Sequence, residues 1–205
     1  MKTITRFMAV MALAGWAGAA QALIMTYDNL ADWTTATGGA AVVSDPFDND
    51  IAQGGVITFD SGVVSSVFGV FFNDNSVSSG EFKMAVAGDG VAATPFNDWL
   101  FPDPIFAFGF DFTRVRDGAA SVLIDDGSGP VNFELYSVGG GSPGFAGFVS
   151  DSGSFSSIRF FDQELGTDAY GLDNLVFAES VPAPATLALF GLGMAGLGWS
   201  KRKKA

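Results

Sequence analysis

The 205-residue chain contains no cysteine and no histidine. Without cysteine the protein has no disulfide framework, no thiolate nucleophile and no cysteine metal site. Without histidine it has no serine–histidine–acid triad and none of the usual zinc sites. These absences exclude most of the common hydrolytic machinery, so we do not expect an enzyme. Paired carboxylates remain the main route to catalysis, as in glycoside hydrolysis.

Basic residues are scarce through the middle of the chain. All 22 acidic residues lie between Asp28 and Glu179, and only four basic residues accompany them. The other six basic residues stand near the two ends, at 2–6 and 201–204. An acidic body repels nucleic acid and anionic lipid, so neither is expected as a partner.

The first 22 residues have the pattern of a secretory signal peptide. Lys2 and Arg6 precede an apolar stretch from Phe7 to Ala20. Ala20-Gln21-Ala22 then supplies the small-x-small motif that signal peptidase accepts. We therefore predict a signal peptide over 1–22, its removal by signal peptidase, and export.

Residues 23–178 are expected to form one all-β domain. Short apolar-alternating runs separated by Asn/Asp/Gly clusters are typical of an antiparallel β-sandwich. The clearest run is "IFAFGFDFT", whose period of two predicts a strand with one buried phenylalanine face. The four side chains assigned to that face are Phe106, Phe108, Phe110 and Phe112.

Three local patterns are assigned within this domain. "NLADWTTATGG" predicts one short helix that Asn29 caps and Gly38 ends, with Trp33 packed on the sheet. Asp126-Gly127 is a hairpin signal in which Asp126 is expected to be an ordinary turn residue. "FNDWLFPDP", with its two prolines, is assigned to a loop.

Two acidic residues are candidates for a calcium site. Asp48 lies in "SDPFDND", and Asp173 lies in the last predicted strand. The first and last strands of jelly-roll-like sandwiches often lie side by side, so the two carboxylates should meet. Because calcium prefers oxygen ligands, we predict a calcium ion held by Asp48 and Asp173. The alternative is that both are turn-forming acids that satisfy loop backbone groups.

Trp99 is the candidate for binding a sugar. As a loop residue its indole should be exposed and stack on a sugar ring, with Asn97 and Asp98 bonding the hydroxyl groups. The alternative is an aromatic side chain that covers the end of the sandwich.

The C-terminus combines a proline motif, an uncharged stretch and a basic tail. The motif consists of Val181, Pro182, Ala183 and Pro184. Ala185 to Ser200 carries no charge and predicts a membrane helix, although a perpendicular span needs ~20 residues. By the positive-inside rule, the tail should stay in the cytoplasm and stop the helix there. The tail consists of Lys201, Arg202, Lys203 and Lys204.

This combination, over 179–205, resembles the PEP-CTERM sorting signal of exported bacterial proteins. Ala183 stands where that family usually has glutamate. The resemblance implies recognition by an exosortase-type processing enzyme and transient anchoring in the inner membrane by the C-terminal helix. It further implies transfer to the cell surface or to an extracellular matrix that contains exopolysaccharide. A plain membrane anchor is the alternative and lacks only the final release.

The body also resembles a jelly-roll-like β-sandwich domain that often precedes such signals. The matching pieces are "TYDNLADWTTATGG", "PFDND", "FAFGFDF", "GFAGFVS" and "GLDNLVF". The resulting prediction is an exported protein with a non-catalytic structural or carbohydrate-associated role and exopolysaccharide as its candidate partner. The alternative function is a glycan-active hydrolase or lyase, for which Glu81, Glu134 and Glu164 offer carboxylates.

Overall fold

The computed structural model describes residues 23–68, 75–89, 96–115, 120–135, 144–151, 153–162 and 165–179. Within these segments the chain forms one short helix and 12 β-strands. The helix is α1 (Leu30–Ala36). The strands are β1 (Ile24–Tyr27), β2 (Val42–Asp45), β3 (Val56–Thr58), β4 (Val64–Phe68), β5 (Ser76–Val77), β6 (Phe82–Asp89), β7 (Phe96–Val115), β8 (Ala120–Ile124), β9 (Val131–Glu134), β10 (Gly144–Ser150), β11 (Phe155–Asp162) and β12 (Leu165–Glu179).

The strands of the described segments pair only in antiparallel fashion. The main hydrogen-bonded order is β5–β6–β12–β7–β11–β8–β9. Strands β10 and β4 also pair with β7, β1 extends β10, β3 extends β4, and β2 pairs with β12. The predicted all-β, antiparallel class is confirmed.

Strand β7 belongs to both layers of the fold. Its first part pairs with β4 and β11, and its second part pairs with β10 and β12. The ring of Trp99 lies 6.4 Å from that of Phe110, and Phe101 lies 6.2 Å from Phe108. A straight strand would separate Trp99 from Phe110 by about 36 Å. The strand therefore bends back on itself, and its two parts face each other across the core of a β-sandwich.

The bend falls at Pro102 and Pro104. Within the described residues, no residue of β4, β10, β11 or β12 pairs in register with residues 101–104. Proline has no backbone N–H and would otherwise remove a ladder hydrogen bond. At this bend it removes none, so a segment with two prolines continues one strand into the next layer.

The core between the layers is largely aromatic. Trp99 has no exposed surface, and its ring centroid lies 4.9–5.4 Å from those of Phe59, Phe82 and Phe160. All three pairs have edge-to-face geometry, which contributes about 0.5–1.5 kcal/mol per pair beyond the burial of apolar area. The phenylalanine-rich composition thus supplies the main cohesion of the domain.

A second, smaller core lies under helix α1. The Asn29 side chain accepts a hydrogen bond from the Asp32 N–H at 2.9 Å, and Gly38 follows the helix with φ of +64°. Trp33 is fully buried and donates from its indole N–H to the carbonyl of Phe148 in β10 at 3.3 Å. The predicted helix, its cap and the packing of Trp33 are confirmed.

The predicted phenylalanine face of β7 needs one correction. Phe108, Phe110 and Phe112 lie in the main core, whereas Phe106 packs against the cluster under α1. Ala107 and Ile105 of β7 lie opposite the consecutive residues Ala178 and Glu179. Phe106 is therefore the extra residue of a β-bulge, which turns its side chain away from the face shared by the other three.

The Asp126-Gly127 hairpin is confirmed between β8 and β9, but Asp126 is not an ordinary turn residue. The residue is 6% exposed, and its carboxylate accepts hydrogen bonds from the Ser128 N–H, the Ser128 hydroxyl and the Ser150 hydroxyl. The Ser150 oxygen in turn accepts the Gly153 N–H at 2.9 Å. Asp126 thereby fixes the β8–β9 turn to the end of β10.

Candidate functional sites

The candidate calcium residues lie at one edge of the sandwich. Strand β2 pairs with β12 through Asp45 opposite Leu175, so the early chain and the last strand are adjacent as expected. Asp48, three residues beyond Asp45, is exposed and lies near enough to raise the pKa of Asp173. The fold therefore places the two predicted residues in the same region.

A β-bulge shapes the surroundings of Asp173. Asp173 lies opposite Asp111 of β7, and β12 then carries one residue more than β7 before Val176 meets Gly109. Asn174 in this bulge has φ of +48°, in the left-handed region. Its backbone N–H donates to Asp173 Oδ1 at 2.6 Å, and its side-chain amide donates to Asp111 Oδ2 at 2.9 Å.

Several acids therefore share this edge. Burial raises the pKa of Asp173, the Asn174 N–H opposes that effect, and the carboxylates of Asp111, Glu81 and Asp48 raise the pKa further. No group of three or more acidic side chains in the described segments has an arrangement that could hold a metal ion. Calcium binding by Asp48 and Asp173 stays a prediction.

Neighbouring acids behave as the turn-forming alternative describes. Asp45 is 2% exposed and accepts the N–H groups of Phe47 at 3.0 Å and Ser61 at 2.8 Å. Asp50 accepts the Ser79 N–H at 2.9 Å. These carboxylates satisfy loop backbone groups, as aspartate commonly does in turns.

Trp99 does not have the exposed position that sugar stacking requires. It lies in β7 rather than in a loop, and its side chain is 0% exposed. Asn97 also faces the core, where its amide donates to the Ser65 hydroxyl at 3.0 Å. The predicted Trp99 platform is therefore corrected: this indole is a core residue, closer to the packing alternative.

Asp98 instead faces outward, on the opposite side of the strand from Trp99. It lies directly across from Arg159 in β11. Arg159 Nε donates to Asp98 Oδ1 at 2.7 Å, and Arg159 Nη2 donates to Oδ2 at 2.9 Å. The guanidinium carbon also lies 3.6 Å from the centroid of the Phe96 ring. These contacts hold the Arg159 side chain in one geometry on the outer face of the sheet.

A cleft of about 280 Å³ opens beside this ion pair, and we call it the outer cleft. It is bounded by the sheet and by the β8–β9 turn. The residues that line it are Asp98, Leu123, Asp125, Pro130, Ser157, Ile158 and Arg159. Arg159 is one of only four basic residues between Asp28 and Glu179. This scarcity of basic residues is the one sequence signal that could have identified Arg159 as a candidate site residue.

The sorting residues predicted at the C-terminus lie outside the described residues. This applies to Val181–Pro184, to the apolar segment after them and to Lys201–Lys204. Strand β12 ends at Glu179, and the PEP-CTERM protein-sorting motif matches residues 180–203. The chain is a protein with a PEP-CTERM sorting motif. Its folded domain passes directly into that motif.

The PEP-CTERM motif supports sorting by an exosortase and implies export with transient anchoring before cleavage. No curated protein and no solved structure matches the chain. Among the described residues, no helix has the length and apolar character needed to cross a membrane. The predicted membrane helix and the predicted signal peptide over 1–22 fall outside those residues.

Proposed function

We propose that the chain is a non-catalytic protein of the cell surface or extracellular matrix that associates with carbohydrate. In this account signal peptidase removes residues 1–22, and the C-terminal helix then holds the protein in the inner membrane. An exosortase-type enzyme cleaves near the proline motif, and the β-sandwich is released to the surface layer.

The observation that carries the proposal is the match of the sorting motif to residues 180–203, directly after the last strand. A sandwich that ends where its sorting signal begins can be released with its fold complete. The acidic body agrees with a surface position, because net charge of one sign keeps an exported domain soluble.

The basic tail provides the test of sorting. Changing Lys201, Arg202, Lys203 and Lys204 to glutamine should let the short helix pass through the membrane, because the positive charges are its main stop. We expect unprocessed protein in the periplasm or medium, detected by immunoblotting of cell fractions.

A charge-preserving variant controls for the sequence of the tail. Replacing Lys201, Lys203 and Lys204 with arginine, beside the native Arg202, should leave retention and processing as in the wild type. Normal sorting of the glutamine variant would contradict the proposed role of the tail.

The enzymatic alternative predicts a different outcome for the polymer. A hydrolase or lyase shortens polysaccharide chains, whereas a binding protein leaves their length unchanged. Incubation with exopolysaccharide of the producing cells, followed by size-exclusion chromatography of the polymer, distinguishes the two. Shortened chains would favour the enzyme.

A further inference from the structure

The outer cleft has a rigid centre. Arg159 is held by two hydrogen bonds to Asp98 and lies over the ring of Phe96, which itself stacks on Phe68 at 4.9 Å. Side chains fixed before a ligand arrives lose little entropy when it binds. The ion pair is also accessible, because the Arg159 and Asp98 side chains keep 33% and 30% of their surface exposed.

The ion pair has more hydrogen-bonding groups than its own two bonds use. Arg159 bonds Asp98 through one N–H of Nε and one of Nη2, and a guanidinium has five N–H groups, so this pair uses two of the five. Each Asp98 oxygen accepts one of these bonds and has a further lone pair. A donor and an acceptor therefore stand side by side, which suits adjacent hydroxyl groups, since each hydroxyl both donates and accepts.

The remaining lining adds apolar surface and one hydroxyl. Leu123 and Pro130 present carbon atoms, and Ser157 is exposed beside them. A sugar ring has polar hydroxyl groups at its edge and C–H groups on its faces, so it needs both kinds of lining. The volume of about 280 Å³ lies just below the ~300–1,000 Å³ typical of small-molecule pockets, which suits a ligand the size of one sugar ring.

The charge of the outer cleft favours a neutral ligand. Asp98 and Asp125 contribute two carboxylates against the single guanidinium of Arg159. One oxygen of Asp125 accepts the N–H groups of Gly127 at 2.9 Å and Gly129 at 3.2 Å, which orders the turn that forms the wall. The surrounding domain is acidic as well, so an anionic ligand would be repelled.

We propose that the outer cleft binds one ring of a neutral polysaccharide through the Asp98–Arg159 pair. This inference rests on the proposed association with carbohydrate and assigns the outer cleft as its binding site. That place is the outer face of the sheet, on the opposite side of β7 from the buried Trp99.

The test uses affinity electrophoresis of the full chain, purified from its membrane fraction in mild detergent. Native gels contain dextran or galactomannan as neutral probes, or alginate as an acidic probe. We expect at least one neutral polysaccharide to retard the protein, with alginate binding at least about tenfold more weakly. Failure of both neutral probes to retard the wild type, or tighter binding to alginate, would overturn the inference.

Two variants locate the site. Ser157→Phe fills the outer cleft from an exposed position without removing a core contact. Arg159→Lys keeps the positive charge but loses the paired donors. Each should weaken retardation about tenfold or more, as expected for lost hydrogen bonds to a charged group. Thermal melting of each variant establishes that it is folded.

Thr58→Phe is the matched control, because Thr58 is exposed on β3 of the same sheet, two strands away from β7. It should bind as the wild type does. Equal binding by Ser157→Phe and the wild type would overturn the assignment to the outer cleft. If the wild type forms a dimer in solution and Ser157→Phe is a monomer with unchanged retardation, the outer cleft is instead a contact with a second copy and the assignment is overturned.

The proposed function fails separately. Co-sedimentation of wild type and Ser157→Phe with polymer from the producing cells tests association at any surface of the protein. If the wild type and Ser157→Phe sediment with the polymer equally, carbohydrate association stands and the outer cleft is not its site. If neither sediments, the proposed association itself is wrong.

Discussion

Gly147 in β10 lies beneath the indole of Trp33, and its replacement by alanine tests how closely α1 packs on the sheet. A Cβ atom at Gly147 would lie 2.5 Å from Trp33 Cδ1 and 2.6 Å from Phe145 Cε1. Favourable carbon–carbon contacts lie near 3.5–4.0 Å, so one of the rings must move. Trp33 is fully buried and hydrogen-bonded to Phe148, which restricts that movement.

The expected cost follows from the overpacking of a closed site. Extra methyl groups forced into a packed core cost about 1–3 kcal/mol of unfolding free energy. For a domain of this size, each 1 kcal/mol lowers the melting temperature by roughly 2–4 °C. Gly147→Ala should therefore melt about 2–12 °C below the wild type.

Thermal melting followed by circular dichroism measures this difference, with Gly55→Ala as the control. A Cβ atom at Gly55 would meet nothing within 4 Å, so this variant should melt close to the wild type. In a Trp33→Leu background the penalty of Gly147→Ala should shrink, because one of the two clashing rings is absent. If Gly147→Ala melts at the same temperature as Gly55→Ala, the close packing of α1 on the sheet is refuted.

Three further predictions concern acidic residues, measured by thermal melting between about pH 3 and 8. Asp126→Asn should lower the melting temperature by about 3–9 °C at neutral pH, because an amide cannot accept all the hydrogen bonds from Ser128 and Ser150. Burial raises the pKa of Asp126, but the hydrogen bonds from Ser128 and Ser150 hold it below the ordinary aspartate value. The wild-type advantage should therefore persist above about pH 4 and vanish as the pH falls through the folded-state pKa. Asp173→Asn should slightly raise the melting temperature at neutral pH, because burial and nearby carboxylates raise the pKa of Asp173 and make its ionised form unfavourable in the folded state. This free-energy cost should disappear on acidification, when Asp173 is protonated. A variant less stable than the wild type at neutral pH would contradict this reasoning. If Asp48 and Asp173 bind calcium, a hundredfold excess of calcium over Kd should raise the melting temperature by about 5–10 °C relative to chelator. Asp173→Asn should abolish this shift, whereas Asp103→Asn, at an exposed position in the bend of β7, should retain it. Equal melting in calcium and chelator would rule the site out.

Patterns that depend on neighbouring residues predicted much of the fold. The cap at Asn29, the turn at Asp126-Gly127 and the alternation of Phe108, Phe110 and Phe112 in β7 arise from local backbone preferences, which the sequence carries directly. The strand through Pro102 and Pro104 was predicted as a loop, because prolines normally interrupt a ladder. The segment nevertheless belongs to β7, because both prolines lie at the bend, where the hydrogen-bond ladder of β7 with β4 and β11 is already interrupted.

The sites depend on register, which a single sequence does not encode locally. Proximity of Asp48 and Asp173 was predictable from the adjacency of early and late strands in such sandwiches. The position of Asp111 opposite Asp173 depends on a bulge at Asn174. The pairing of Asp98 with Arg159 depends on the β7–β11 register, across 61 residues of chain.

The two ends of the released protein test the central claim most directly. Intact-mass measurement and terminal peptide mapping of protein from the surface fraction of producing cells identify both ends. We expect a chain that begins at Leu23 and lacks Lys201–Lys204, because signal peptidase and the exosortase have each acted. A surface protein that retains Met1, or that still carries the basic tail, would contradict sorting by the PEP-CTERM motif.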